Sequence, residues 1–142
     1  MNRLTYMEIA GKNYPLSFSL GACKAIAKKF GSIEKMGEAL KKIEGIDEGT
    51  IDDITYILSV LIAQGCAYKN IFEKDFPVEK NAPVEDGKYI PLSPEDLEIA
   101  VGLMDTSEII AAINGCMNKS KETEIEAKPV EKRKNVVVPK EG

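Results

Sequence analysis

At 142 residues the chain has the length of one domain with surplus in tails, and its 44% hydrophobic content can build a core. A formal charge of −4 gives no basis for broad electrostatic attraction to nucleic acid or to an anionic membrane surface. The chain contains no histidine, so it holds neither a Ser-His or Cys-His nucleophile pair nor an imidazole metal site.

Leu4 to Ile9 and Asn13 to Phe18 alternate apolar and polar residues as two short strands, with Ala10-Gly11-Lys12 as the turn between them. Leu4, Tyr6 and Ile9 are the inward candidates of the first strand, and Tyr14, Leu16 and Phe18 of the second. Pro15 cannot donate to a ladder, which places its strand at an edge. Ser17 or Ser19 caps a helix running to about Phe30, with Leu20, Cys23, Ile26, Ala27 and Phe30 on its apolar side and Gly31 as its stop. From Ser32 a second helix carries Ile33, Met36, Leu40 and Ile43 at helical spacing and ends at Gly45.

Thr50 to Phe72 is the strongest helical signal. Between Ile54 and Tyr68 there is no charge, and a helix apolar on nearly every side is a buried one. Thr50 serves as N-cap, with Asp52 and Asp53 in the first turn. The charge-free run is short of the roughly 20 residues that a membrane span needs, so the pattern predicts the central helix of a soluble domain.

Glu73 to Ile90 is polar, contains Pro77, Pro83 and Asp86-Gly87, and reads as a long loop with a short strand near Lys88 to Pro91. Ser93-Pro94-Glu95-Asp96 is a strong helix start that turns Leu97, Ala100, Val101 and Met104 inward. Asp105-Thr106-Ser107-Glu108 repeats the signal, and Ile109, Ile110, Ile113, Cys116 and Met117 form the last apolar stripe. The composition then shifts: residues 1–118 hold 12 basic against 18 acidic side chains, and 119–142 hold 7 against 5. With few large apolar residues before Val136-Val137-Val138, the second stretch predicts a flexible charged tail. The expected architecture is mainly α with a short N-terminal β-hairpin, as a single helical domain over 1–118 and a disordered tail over 119–142.

No stretch carries catalytic equipment. Gly21-Ala22-Cys23-Lys24 lacks the glycine and Lys-Ser/Thr pair of a phosphate loop, and the acids at Asp47, Glu48, Asp52 and Asp53 lack EF-hand spacing. Cys23, Cys66 and Cys116 are odd in number and far apart, which suits reduced core thiols of a cytoplasmic protein better than a disulfide framework. Met1 to Tyr6 leads into no apolar segment of the signal-peptide kind. The lysines at 24, 28, 29, 35, 41 and 42 read as solvated helical faces, because arginine, the commonest base reader, is nearly absent there. The expectations are no enzyme, cofactor, metal, nucleic acid or membrane.

One run does carry a likeness. Gly11-Lys12-Asn13-Tyr14-Pro15-Leu16-Ser17-Phe18-Ser19-Leu20-Gly21-Ala22, with Ile26, Phe30-Gly31-Ser32 and Leu40 after it, resembles the opening of the tail assembly chaperones of long-tailed phages and of prophages in Gram-positive bacteria. The Ser93 to Leu97 helix start and the Ile109 to Met117 helix are similar to that family's second half. The resemblance implies a non-catalytic protein of the host cytoplasm that coats and solubilises the tape-measure protein, helps recruit tail-tube subunits, and leaves before the virion is complete. It also implies a longer form made by ribosomal frameshifting, for which the lysine-rich run at Lys119 and Lys121 is a weak marker. The residues expected to touch a partner or a neighbouring copy are Leu97, Val101, Met104, Ile109, Ile113 and Met117, each of which ordinary core packing would also explain. The alternatives are a structural tail component of the virion and a small DNA-binding regulator.

Overall fold

A computed structural model describes residues 3–41 and 45–132, with side chains described through residue 120. Strands β1 (Thr5–Ile9) and β2 (Lys12–Leu16) pair antiparallel from Thr5 opposite Leu16 to Ile9 opposite Lys12. Ala10 and Gly11 both take positive φ, 51° and 80°, which matches the twist of a two-residue hairpin turn. Lys12 therefore belongs to the strand and not to the turn. The chain leaves the sheet after Leu16, because the Ser17 amide donates to the Leu61 carbonyl of a helix at 3.0 Å.

Ser19 caps α1 (Leu20–Phe30) by accepting from the Ala22 amide at 3.1 Å, and its hydroxyl also donates to the Gln64 side chain. Gly31, at φ 99°, stops α1 by donating to the Ala27 carbonyl at 2.7 Å. Ala22 and Ile26 form the buried face, whereas Leu20 is 88% exposed, because it lies in the first turn beyond the core. Helix α2 (Ile33–Lys41) buries Met36; the expected core residue Ile43 and the neighbouring Lys42 lie outside the described residues.

Helix α3 (Glu48–Phe72) begins two residues earlier than its pattern predicts. The cap is Asp47 and not Thr50: its carboxylate accepts the Thr50 amide at 2.8 Å, so Asp52 and Asp53 fall in the second turn. Ile54, Ile57, Leu58, Leu61, Ile62 and Cys66 are buried, as expected of a helix apolar all round. Helix α3 touches β2, α1, α4, α5 and the second hairpin described below, and it is the element on which the core is assembled. No single described helix is long and apolar enough to cross a membrane.

The approach of β2 to this helix is governed by Gly65. A Cβ there would lie 2.1 Å from the Pro15 carbonyl oxygen and 2.8 Å from the Leu16 amide nitrogen, far inside van der Waals contact. Pro15 is correspondingly fully buried, and a proline is tolerated because each strand of a two-stranded ribbon has an unpaired edge.

The stretch from Glu73 to Ile90 contains a second hairpin, β3 (Val84–Glu85) with β4 (Lys88–Tyr89), turned by Asp86 and Gly87 at φ 51° and 80°. It is fastened to the end of α3 by two side chains. Asn70 accepts the Tyr89 amide at 2.8 Å and donates to the Tyr89 carbonyl at 3.0 Å, acting as a strand partner. Lys69, 6% exposed, places Nζ 2.9 Å from a Glu73 carboxylate oxygen and 3.2 Å from one of Glu79, over the rings of Tyr6 and Tyr89 at 5.6 and 5.8 Å. Burial alone would lower its pKa; Glu73, the Tyr6 hydroxyl and Glu79 outweigh it and hold the ammonium above the ordinary lysine range.

Helix α4 (Pro94–Ala100) carries the expected capping box, with the Asp96 amide donating to Ser93 Oγ and the Ser93 amide to Asp96 Oδ2, both at 3.0 Å. After a 3-10 turn (Leu103–Asp105), helix α5 runs from Thr106 to Lys132 and buries Ile109, Ile113 and Cys116. Helix α5 thus extends into the first part of the stretch 119–142, which the sequence assigns to a charged tail. The remainder of that tail, Val136-Val137-Val138 included, lies outside the described residues.

Two outcomes follow. Gly65→Ala lowers unfolding free energy by about 2–3 kcal/mol through overpacking, whereas Gly115→Ala, with open space at its Cβ position on α5, raises it by about 0.5–1 kcal/mol; denaturant midpoints that move equally for both refute the role given to Gly65. Lys69→Met accelerates hydrogen exchange across residues 79–90 more than in α4 and α5. Since the folded pKa of Lys69 is raised, its stabilisation is complete at neutral pH and is lost only as pH rises beyond the ordinary lysine range.

Candidate functional site

A concave, mostly apolar surface lies at the corner between α4 and α5. The Val101 amide donates back to Leu97 at 3.0 Å, ending α4, and Gly102 and Asp105 then bind each other reciprocally: Asp105 donates to the Gly102 carbonyl at 3.0 Å and accepts the Gly102 amide at 2.8 Å. The helix axis turns by 107° across this break. Ending α4 at Ala100 removes Met104 from the helical phase that would have turned it inward.

The corner faces the start of α3. Together they form a cavity of about 270 Å³, with Ile54 and Ile109 deep in its lining, Ile46 and Ile51 on one side, and Val101 and Leu103 on the other. The Thr55 hydroxyl in the lining is already engaged, donating to the Ile51 carbonyl at 2.8 Å. Glu98 stands at the edge shared with a neighbouring depression lined by Asp47, Glu48 and Asp52, and among the described residues no lysine or arginine lines either space. The Thr50 amide and side chain hold the Asp47 carboxyl below its ordinary range, so this edge is negatively charged at neutral pH. Chemically the site can bury apolar side chains and attract cations.

The six residues expected to make contacts do not share a surface. Leu97, Ile109 and Ile113 are buried and belong to the core. Val101 is half-buried in the wall of the cavity, and Met117 is half-buried in a separate groove with Met36 and Leu40, between α2 and α5. Met104 alone of the six is widely open, at 87% exposure, beside Leu103 at 69%, with Ile99 of α4 at 86%. Leu103, Ile46 and Ile51 escape a periodicity reading because all three lie at or beyond helix ends; Gly102, a glycine inside an apparently continuous helical pattern, is the signal that marks the break. A second exposed apolar stretch, Ile71, Phe72, Phe76 and Val78, lies at the other end of α3.

The remaining candidates for chemistry are quiet. Burial pushes the Cys66 thiol up to about 12 and raises that of Cys116, which disfavours the nucleophilic thiolate. Among the described residues no group of three or more His, Cys, Asp or Glu is placed to hold a metal ion. Of the lysines on α1, Lys29 lies over the Tyr56 ring at 5.0 Å. In the native protein near pH 8 a disulfide reagent accordingly modifies the half-buried Cys23 first, and Cys66 and Cys116 only on unfolding; rapid native modification of Cys66 contradicts this arrangement. Compared with protein-family models, with curated proteins and with solved structures, the chain matches none of them.

Proposed function

We propose that the chain is a non-catalytic phage tail assembly chaperone, which binds and solubilises the tape-measure protein and helps recruit tail-tube subunits in the host cytoplasm. The observation that carries this reading is the apolar cavity at the α4–α5 corner, lined by Ile51 and Leu103 and edged by carboxylates, on an acidic helical body. A tape-measure chain presents long apolar helical stripes that associate with one another when uncovered. A binder that covers such stripes with its own apolar surface while presenting net negative charge keeps the resulting complexes apart. The likeness of the run Gly11 to Ala22 to the openings of such chaperones supports the same reading. In this role the protein leaves before the virion is complete.

Co-expression with the cognate tape-measure protein provides the test. The tape-measure protein is expected to move from the insoluble to the soluble fraction and to co-purify with this chain. If its solubility is unchanged, the chaperone reading fails. Recovery of the chain in stoichiometric amount from purified particles by mass spectrometry makes it a virion component instead.

A further inference from the structure

At the α4–α5 corner the backbone is already in use: the amides of Val101, Gly102, Asp105 and Thr106 are hydrogen-bonded within the chain. None of these amides is open to an extended peptide, whereas a helix brings its backbone bonds already made. The lining is apolar and the edge is acidic, with Asp47, Asp52 and Glu98 on the side facing solvent and no basic side chain among the described lining residues. Apolar interior and charged perimeter together define a complement: an apolar stripe with cations along its flank.

We propose that this groove docks a single amphipathic helix of another protein, its apolar stripe set against Ile46, Ile51 and Leu103 and its lysines or arginines against Asp47, Asp52 and Glu98. The assignment deepens the chaperone reading and rests on it in taking the partner to be a helical protein; the chemistry of the groove stands on the geometry alone. Such a site selects helices by charge pattern as well as by apolar spacing, so apolar helices flanked by acids are rejected by like-charge repulsion. A second copy of the chain, offering the exposed Leu20 with Lys24 and Lys28 of α1, is the competing occupant.

The full chain is titrated by fluorescence anisotropy with two synthetic helical peptides that share one leucine stripe, flanked by lysines in one and by glutamates in the other. The lysine-flanked peptide is expected to bind, more weakly as ionic strength rises from about 0.05 M to about 0.5 M, and the glutamate-flanked one not to bind. Asp52→Lys with Glu98→Lys weakens binding by about tenfold or more, whereas Glu8→Lys with Glu38→Lys, an equal charge change on exposed positions elsewhere, weakens it by less than about threefold. Circular dichroism checks that both variants keep their helical content, and Leu103→Asp supplies a second lesion at a position 69% exposed, where folding does not depend on it. Equal binding of the two peptides, binding of neither, equal loss in the two double variants, or full binding by Leu103→Asp overturns the proposal. So does sedimentation showing self-association that the Asp52 and Glu98 changes abolish. If the peptides fail while the tape-measure protein is still solubilised, the groove is wrong and the chaperone reading survives; if the peptides bind as expected without solubilisation, the reverse holds.

Discussion

The fold depends on a backbone-to-backbone approach at one point of α3. Where β2 crosses the helix, the peptide between Pro15 and Leu16 occupies the space that any side chain at position 65 would fill, and the Ser17 amide reaches the Leu61 carbonyl just beyond. This contact lets Leu16 enter the same layer as Leu58, Leu61 and Ile62, all of them fully buried. A two-stranded hairpin is marginal in water and acquires its stability from what it packs on. Here that support is close enough to share a hydrogen bond between strand and helix.

At the C-terminal end of α3 the logic changes from apolar packing to paired polar groups. Lys69 is buried beneath the half-buried Glu73 and the exposed Glu79, whose carboxylates compensate it, and Asn70 supplies the hydrogen bonds that a third strand would have made for Tyr89. Removing a charge from water is costly unless it is paired, so this cluster fixes the geometry of the second hairpin more than it contributes net stability. The helix therefore organises the molecule in two ways, with close packing through its middle and a satisfied ionic knot at its end. Its beginning, capped by Asp47, is left to form one wall of the open groove.

Much of this was legible in the residues because it rests on local chemistry. Ser19 and Ser93 cap the helices they precede, Gly31 ends α1, and the charge-free face of α3 is buried, since capping and amphipathic burial are short-range consequences of side-chain type. Asp47 in place of Thr50 as cap shows the limit of that rule: two acceptors close together compete, and geometry picks between them. Other features depended on tertiary partners and were not legible. The inward assignment of Met104 assumed an unbroken helix from Ser93, and the reciprocal bonds between Gly102 and Asp105 break it. The burial of Lys69 depends on Glu73, Glu79, Tyr6 and Tyr89 being assembled around it, three of them distant in sequence. Of the candidate surface only Val101 and Met104 were named beforehand in positions that reach solvent at the corner, because residues at helix ends carry little periodic signal.

The glycine notch also constrains the order in which the protein can assemble. The hairpin is made first during synthesis, but the surface that stabilises it includes Leu61 and Gly65, so a nascent chain ending before that point lacks the helix face that β2 crosses. Closing so distant a pairing costs loop entropy before any burial repays it. The N-terminal hairpin therefore gains its packing partner only once the middle of α3 has emerged, and the first quarter of the chain is completed by its second rather than on its own.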